Sequence, residues 1–196
     1  MQRQCASEVK RGTVWRFLAE HVSSIFATEF ESNVWLSNDA RGNEMRLTSS
    51  VLLVEDDPDH TILMRRALER ARVANPLVIV SDGEEARDYL FGIGRYNGRD
   101  PRDAPVLVLL DLKLPKISGI DVLRRIRAHP VTEHIPVVVL TTSDLDEDLV
   151  RAYGLGANSF VRKPVNFEAF QQAVERIALY WLVVNQPPPV VQREVA

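Results

Sequence analysis

Short apolar runs alternate with amphipathic stretches from residue 51 onward, and this alternation predicts parallel strands joined by helical crossovers. The runs in the middle of the chain are apolar at every position, as expected of parallel strands whose two faces are both covered by helices. We therefore predict an α/β domain. Its five strands should occupy residues 51–54, 77–80, 106–110, 136–140 and 159–162.

The stretches between these runs have the periodicity of amphipathic helices. We predict helices over residues 59–73, 83–91, 119–128, 144–153 and 166–183. In the last of them, five apolar residues recur every three or four positions, and we expect this stripe to face the core. The stripe consists of Phe167, Phe170, Val174, Ile177 and Trp181. A stretch rich in Gly, Pro and charge, residues 92–105, predicts an exposed loop.

The two ends of the chain differ from this pattern. Residues 1–48 contain no chemical motif, and residues 13–28 fit one amphipathic helix. We expect an N-terminal extension there, and we leave open whether Met45 is the native start of the protein. The α/β domain should then occupy residues 49–184, and residues 185–196, which begin "NQPPP", should form a disordered tail.

The composition excludes several classes of protein. Of the 196 residues, 45% are hydrophobic and 26% charged, which is typical of a globular domain. The net charge of −3 gives no basic field for nucleic acid. No apolar stretch approaches the ~20 residues that span a bilayer, and the one cysteine rules out an internal disulfide. We expect a cytoplasmic protein that binds neither nucleic acid nor membrane.

Chemically active side chains follow four of the five predicted strands. Glu55 and Asp56 come after the first strand, Asp111 after the third, Thr141 after the fourth and Lys163 after the fifth. In an open parallel sheet, ligands bind outside the carboxyl ends of the strands. We therefore expect three acids, a hydroxyl and an ammonium to converge at one edge of the sheet.

This set of side chains suits phosphoryl transfer. Carboxylates held close together repel one another, and a divalent cation such as Mg²⁺ relieves the repulsion. With the cation bound, Asp111 can stay ionised and accept a phosphoryl group as a nucleophile. The Thr141 hydroxyl and the Lys163 ammonium can then spread the charge of that group.

Each residue also has a purely structural interpretation. An Asp after a strand often caps a helix, which is the role that we expect for Asp57 ahead of Pro58. Thr141 could cap the following helix, and Lys163 could be a solvated loop lysine. The joint placement of all these residues at strand ends favours the chemical interpretation.

Four motifs carry a resemblance to a known family. In order and spacing, "LLVEDDP", "LVLLDLKLP", "VVVLTTS" and "FVRKP" resemble the receiver domain of two-component response regulators over residues 51–183. The resemblance implies a (βα)₅ flavodoxin-like, doubly wound sheet of strand order 2-1-3-4-5. It also implies that a sensor histidine kinase phosphorylates Asp111 from its phosphohistidine.

The same resemblance implies a role for each site residue. Asp56, Asp111 and the backbone carbonyl of Lys113 would ligate Mg²⁺, while Glu55 would hold a metal-bound water.

Thr141 and Lys163 would contact the phosphoryl group, and Thr141 with Phe160 would form the conformational switch. Ser118 departs from the family, which usually has Asp there, but Ser can also cap the next helix. Lys113 has a side chain long enough to obstruct an attacking water, so we expect a long-lived phosphoryl group.

Further features resemble the single-domain regulators that serve phytochrome-type histidine kinases. These are the long loop before the third strand, "DLKLPK", "IPVVVLTTS" and the terminal "YWL". Only "LYWLVVNQPPPVVQREVA" follows the domain, so we expect no DNA-binding output domain and output through protein contacts. The resemblance implies a bacteriophytochrome as the kinase. It also implies a homodimer through the face of helix 4, strand 5 and helix 5. Tyr180 and Trp181 could extend that interface, although we expect Trp181 to pack in the core.

Three alternatives stay open at the level of sequence. A haloacid-dehalogenase-like phosphatase also uses Asp, Mg²⁺, Thr and Lys, but it needs a second Asp where this chain has Lys113. A binding module of receiver fold that never accepts phosphate would not need the complete set of site residues. Transcription control through the first fifty residues would need a basic stripe, which they lack. We expect a signalling phosphoacceptor and no enzyme with a separate substrate.

Overall fold

The computed structural model describes residues 49–163 and 166–185. The predicted extension at residues 1–48 lies outside the described residues. The predicted tail lies outside them too, except for Asn185, which ends the last helical turn.

Five strands and five helices alternate along the described chain, as predicted. They are β1 (Val51–Val54), α1 (Pro58–Arg70), β2 (Leu77–Val80), α2 (Gly83–Phe91), β3 (Leu107–Leu110), α3 (Gly119–Ala128), β4 (Val137–Thr141), α4 (Asp146–Gly154), β5 (Ser159–Arg162) and α5 (Phe167–Ala178). A 3₁₀ turn at Gly94–Tyr96 lies in the loop before β3, and a π-helical turn at Leu179–Val184 extends α5. The strands are parallel and their order is β2-β1-β3-β4-β5, which confirms the predicted topology.

Two apolar layers cover the two faces of the sheet, because successive side chains of a strand point to opposite faces. In β1, Leu52 and Val54 pack in the layer formed with α2, α3 and α4. Val51 and Leu53 pack in the layer formed with α1 and α5. All four side chains are at most 1% exposed, so the continuous apolar run is explained by burial on both faces.

The helices begin at side-chain caps that the sequence indicates. The Asp57 carboxylate accepts the N–H of Asp59 at 2.8 Å, which confirms its predicted role as the cap of α1. Ser118 caps α3 by accepting the N–H of Asp121 at 3.2 Å. Ser118 therefore caps α3, as predicted from the sequence.

The apolar stripe of α5 is only partly directed at the core. Phe170 and Val174 are buried, and Ile177 and Trp181 pack, partly buried, against the same layer. The prediction was wrong for Phe167, which is 43% exposed. Phe167 is the first residue of α5, and the buried residues of the helix begin at Phe170. The side chain of Phe167 therefore lies outside the core, although it fits the apolar stripe.

Arg127 ties together the loops at the amino ends of β4 and β5. Its guanidinium donates to the carbonyl oxygens of Gly156, Glu133 and Ile135 at 2.8, 3.0 and 2.9 Å. It also donates to the side-chain oxygen of Asn158 at 2.7 Å. Burial lowers the pKa of Arg127, and its acceptors are neutral oxygens. Within the described ranges, Arg127 is therefore held by hydrogen bonds to neutral oxygens.

We predict that Arg127→Met lowers the free energy of unfolding by roughly 2–4 kcal/mol, because several hydrogen bonds are lost at about 1 kcal/mol each. Urea denaturation measures the change. Arg124→Met is the matched control, since Arg124 lies on the same helix, is exposed, and has Asp121, one turn away, as its partner within the part of the chain that the structure describes. Equal effects of the two substitutions would contradict this role for Arg127.

Candidate functional site

The ends of β1 and β3 bring three carboxylates together. The N–H of Asp111 donates to the carbonyl of Val54, and that of Glu55 to the carbonyl of Val80, each at 3.0 Å. Side-chain oxygens of Glu55, Asp56 and Asp111 consequently lie within 4.8 Å of one another. Glu55 and Asp111 are buried, whereas Asp56 is exposed. The acid cluster therefore has two buried members and one that faces solvent.

Lys163 inserts its ammonium between the two buried acids. Its backbone N–H donates to the carbonyl of Thr141 at 2.8 Å, which fixes where the side chain leaves the sheet. The Nζ atom then lies 2.5 Å from Oδ2 of Asp111 and 2.6 Å from Oε2 of Glu55. Each of these side chains is at most 7% exposed. Such buried charges persist only when they are paired, so the three groups depend on one another.

The charge of this cluster suits a divalent cation. Burial raises the pKa of Glu55, and the hydrogen bond from Lys163 opposes the rise without cancelling it. Three carboxylates against one ammonium leave two negative charges uncompensated. An all-oxygen donor set with this charge is what hard cations such as Mg²⁺ and Mn²⁺ prefer. The residues present therefore fit such an ion.

Both oxygens of the Asp111 carboxylate have donors. Oδ2 accepts from Lys163, and Oδ1 accepts the backbone N–H of Lys113 at 3.0 Å. The side chain of Lys113 is exposed at the rim of the site. The three oxygens that lie close enough to share a cation belong to the side chains of Glu55, Asp56 and Asp111. The role of the Lys113 carbonyl as a metal ligand therefore stays a prediction.

Thr141 and Phe160 lie on the two strands beside this cluster. Thr141 is fully buried at the end of β4, and its Oγ1 accepts the N–H of Ser143 at 3.2 Å. Its hydroxyl hydrogen can therefore be donated elsewhere. Phe160, on β5, is partly buried against the layer of α2, α3 and α4. The structure thus places both residues predicted for the switch on adjacent strands.

His60 also lies at the site, although no motif in the sequence points to it. Its Nδ1 lies 3.3 Å from Oε1 of Glu55 and 3.5 Å from Nζ of Lys163. The ring also packs against Phe170, with centroids 6.3 Å apart. Its position in the first turn after β1 is the signal that could have identified it, since that turn borders the strand ends.

The described part of the chain contains no helix that is both long and apolar enough to cross a membrane.

Comparison with known proteins identifies the family. Residues 51–175 match the family model described as the response regulator receiver domain. A probable methanogenesis regulatory protein, FilR2 of Methanothrix harundinacea, is 44% identical over 138 residues, which are 70% of this chain and 86% of that protein. Response regulator Rcp1 of Synechocystis is 38% identical over 132 residues, which are 67% of this chain and 88% of Rcp1.

Two crystal structures have the same fold. The phosphorylated cyanobacterial phytochrome response regulator RcpA is similar with a TM-score of 0.67 at 37% identity, covering 72% of this chain and 99% of RcpA. The Mn²⁺-bound form of Rcp1 has the same TM-score at 35% identity, with the same coverage. The motifs, the topology and these matches agree, so the chain belongs to the response regulator receiver domain family and resembles the phytochrome response regulators.

Proposed function

We propose that this chain accepts a phosphoryl group on Asp111 from a sensor histidine kinase and signals through a changed protein-binding surface. The observation that carries the proposal is the buried ammonium of Lys163, shared between Asp111 and Glu55 beside the exposed oxygen of Asp56. In this arrangement Asp111 would be the nucleophile, the carboxylates would bind a cation, and Lys163 would supply positive charge to the incoming phosphoryl group.

In the proposed reaction, an oxygen of Asp111 forms a bond to phosphorus as the bond from phosphorus to the histidine nitrogen of the kinase breaks. The electron pair of the broken bond stays on that nitrogen. Glu55, Asp56, Asp111 and the Lys113 carbonyl would hold Mg²⁺, which supplies positive charge to the phosphoryl oxygens when it is bound. The Lys113 N–H, which meets Oδ1 of Asp111 at 3.0 Å, orients the carboxylate.

Phosphorylation would change the partners of Lys163 and Thr141. The ammonium of Lys163 exchanges its contact with Asp111 for one with a phosphoryl oxygen, and the Thr141 hydroxyl donates to another. Thr141 then gives up the N–H of Ser143, which its Oγ1 accepts at 3.2 Å. The loop after β4 follows, and Phe160 turns into the space that is vacated. This is a two-state equilibrium that the added charge shifts.

The surface that responds would include α4, where apolar side chains face solvent. Val150 is 70% exposed, Leu145 58% and Tyr153 50%. An exposed apolar group of this kind suits a partner of similar character, and we propose a second copy of the chain. Tyr180 is 51% exposed on the turn after α5 and would extend the interface.

The input would come from a phytochrome-type kinase. Similarity to RcpA and Rcp1 over nearly their whole lengths supports this assignment. A kinase of this type and its ATP would place the reaction in the cytoplasm. A phosphatase of the haloacid dehalogenase type is disfavoured, because the position of its acid is taken by the exposed Lys113.

Incubation with acetyl phosphate and Mg²⁺, followed by mass and size analysis, tests the acceptor. We expect one phosphoryl group on the wild type and an increase in dimer, because the label shifts the α4 surface. Asp111→Asn should fold normally and take no label, while Asp103→Asn, on an exposed loop, should behave as the wild type. A phosphoryl group on Asp111→Asn, or no phosphoryl group on the wild type, would contradict the proposed acceptor. A wild type that is phosphorylated but stays monomeric would contradict only the proposed dimer.

We predict that Lys113→Asn shortens the lifetime of the phosphoryl group by about five-fold, since a shorter side chain leaves the path of water open. The decay of isolated labelled protein after removal of acetyl phosphate measures the rate. Lys113→Arg is the matched control, because it keeps length and charge. Equal decay of Lys113→Asn and wild type would remove the role assigned to this lysine.

A further inference from the structure

The loop between β3 and α3, residues 112–118, is pressed against the start of α2. The N–H of Gly83 donates to the carbonyl of Pro115 at 3.4 Å. A Cβ atom on Gly83 would lie 1.9 Å from the carbonyl oxygen of Ile117, so only glycine allows this approach. The loop that follows Asp111 therefore rests on a neighbouring element.

An ion pair fastens the loop at the same place. Nζ of Lys116 lies 2.7 Å from Oδ2 of Asp82 and 3.6 Å from Oε2 of Glu84. Asp82 is 8% exposed, and its other oxygen caps α2 by accepting the N–H of Glu85 at 2.7 Å. A single carboxylate thus holds both the first turn of α2 and the loop.

The backbone of Lys116 is left-handed, with φ of 64°. Among the described residues other than glycine, only Arg72 shares a positive φ, at 53°. Glycine adopts this conformation without strain, whereas a residue with a Cβ atom does not. The backbone of Lys116 is therefore strained, and the side chain that it carries is the one that pairs with Asp82.

The other end of the loop is equally confined. The N–H of Gly119 donates to the carbonyl of Leu112 at 3.0 Å, and a Cβ on Gly119 would lie 2.0 Å from the carbonyl oxygen of Asp111. Lys113 lies between the two anchors, and its N–H meets Oδ1 of Asp111. The position of the Lys113 peptide is thus set by contacts on both sides of it.

We propose that Asp82 and Lys116 are positioning residues that hold the Lys113 peptide against Asp111 and so raise the affinity of the site for Mg²⁺. This inference rests on the proposed function, in which the Lys113 carbonyl is a ligand of the cation. Groups that orient the ligands of a metal typically contribute a factor of 10–100 in affinity.

The ionisation of Asp82 supports the pair. Burial alone would raise the pKa of Asp82, but the hydrogen bonds from Lys116 and from the N–H groups of Glu85 and Glu84 outweigh it and lower the pKa. Asp82 is therefore a carboxylate at neutral pH, and Lys116 keeps its charge beside it.

Calorimetric titration of the full chain with Mg²⁺ tests the proposal on Lys116→Gly. Glycine removes the ion pair and also relieves the left-handed strain, so the melting temperature should not fall. We expect the Kd for Mg²⁺ to rise about tenfold. Arg72→Gly is the matched control, because it relieves the same strain at the end of α1 and should leave the Kd unchanged. Lys116→Arg, which keeps the charge, should retain most of the affinity.

Asp82→Asn provides the second half of the test. Asparagine can still cap α2 but lacks the charge, so the Kd should again rise about tenfold. Since both substitutions break one interaction, the double variant should be no weaker than either single variant. Unchanged Mg²⁺ affinity in Lys116→Gly, or additive effects in the double variant, would overturn the inference. Failure of the wild type to bind Mg²⁺ or take label would instead overturn the proposed function.

Discussion

The site depends on one buried ammonium that two buried carboxylates share. Lys163 lies 2.5 Å from Asp111 and 2.6 Å from Glu55, and none of these three charges would be stable in the interior without the others. Counted with Asp56, the three carboxylates still exceed this ammonium by two negative charges, which is the charge that a divalent cation would balance. The stability of the resting site and its capacity to accept a cation therefore have a common electrostatic origin.

The parallel sheet supplies the geometry that this interaction requires. Val54 pairs with Leu110, and Thr141 with Arg162, so the residues that follow these pairs leave the sheet at one edge. Burial on both faces makes the strands rigid. The loops beyond them are held less uniformly: the loop after β3 is anchored at both ends, whereas Thr141 and Ser143 hold the loop after β4 through a hydrogen bond that can be exchanged. The fold thus combines a loop after Asp111 that is anchored at both ends with a loop after Thr141 that a single exchangeable hydrogen bond holds at its start.

Much of this was predictable from local patterns in the sequence. The apolar runs identify the strands because a parallel sheet buries both faces, and residues such as Asp111 and Lys163 follow directly from strand ends. Other features depend on contacts between distant segments. The place of His60 beside Glu55, the pairing of Lys116 with Asp82, and the exposure of Phe167 at the start of α5 have no periodic signature. Periodicity reports which face is apolar, and it does not report where a helix begins relative to the core.

The most direct test of the shared ammonium is the response of Lys163→Met to Mg²⁺, measured as the shift in melting temperature. Without the lysine, Glu55 and Asp111 lose the ammonium that they share, and a bound divalent cation would replace its charge. The account predicts that Lys163→Met is destabilised in the absence of Mg²⁺ and gains a larger shift from it than the wild type does. A shift equal to or smaller than that of the wild type would contradict it.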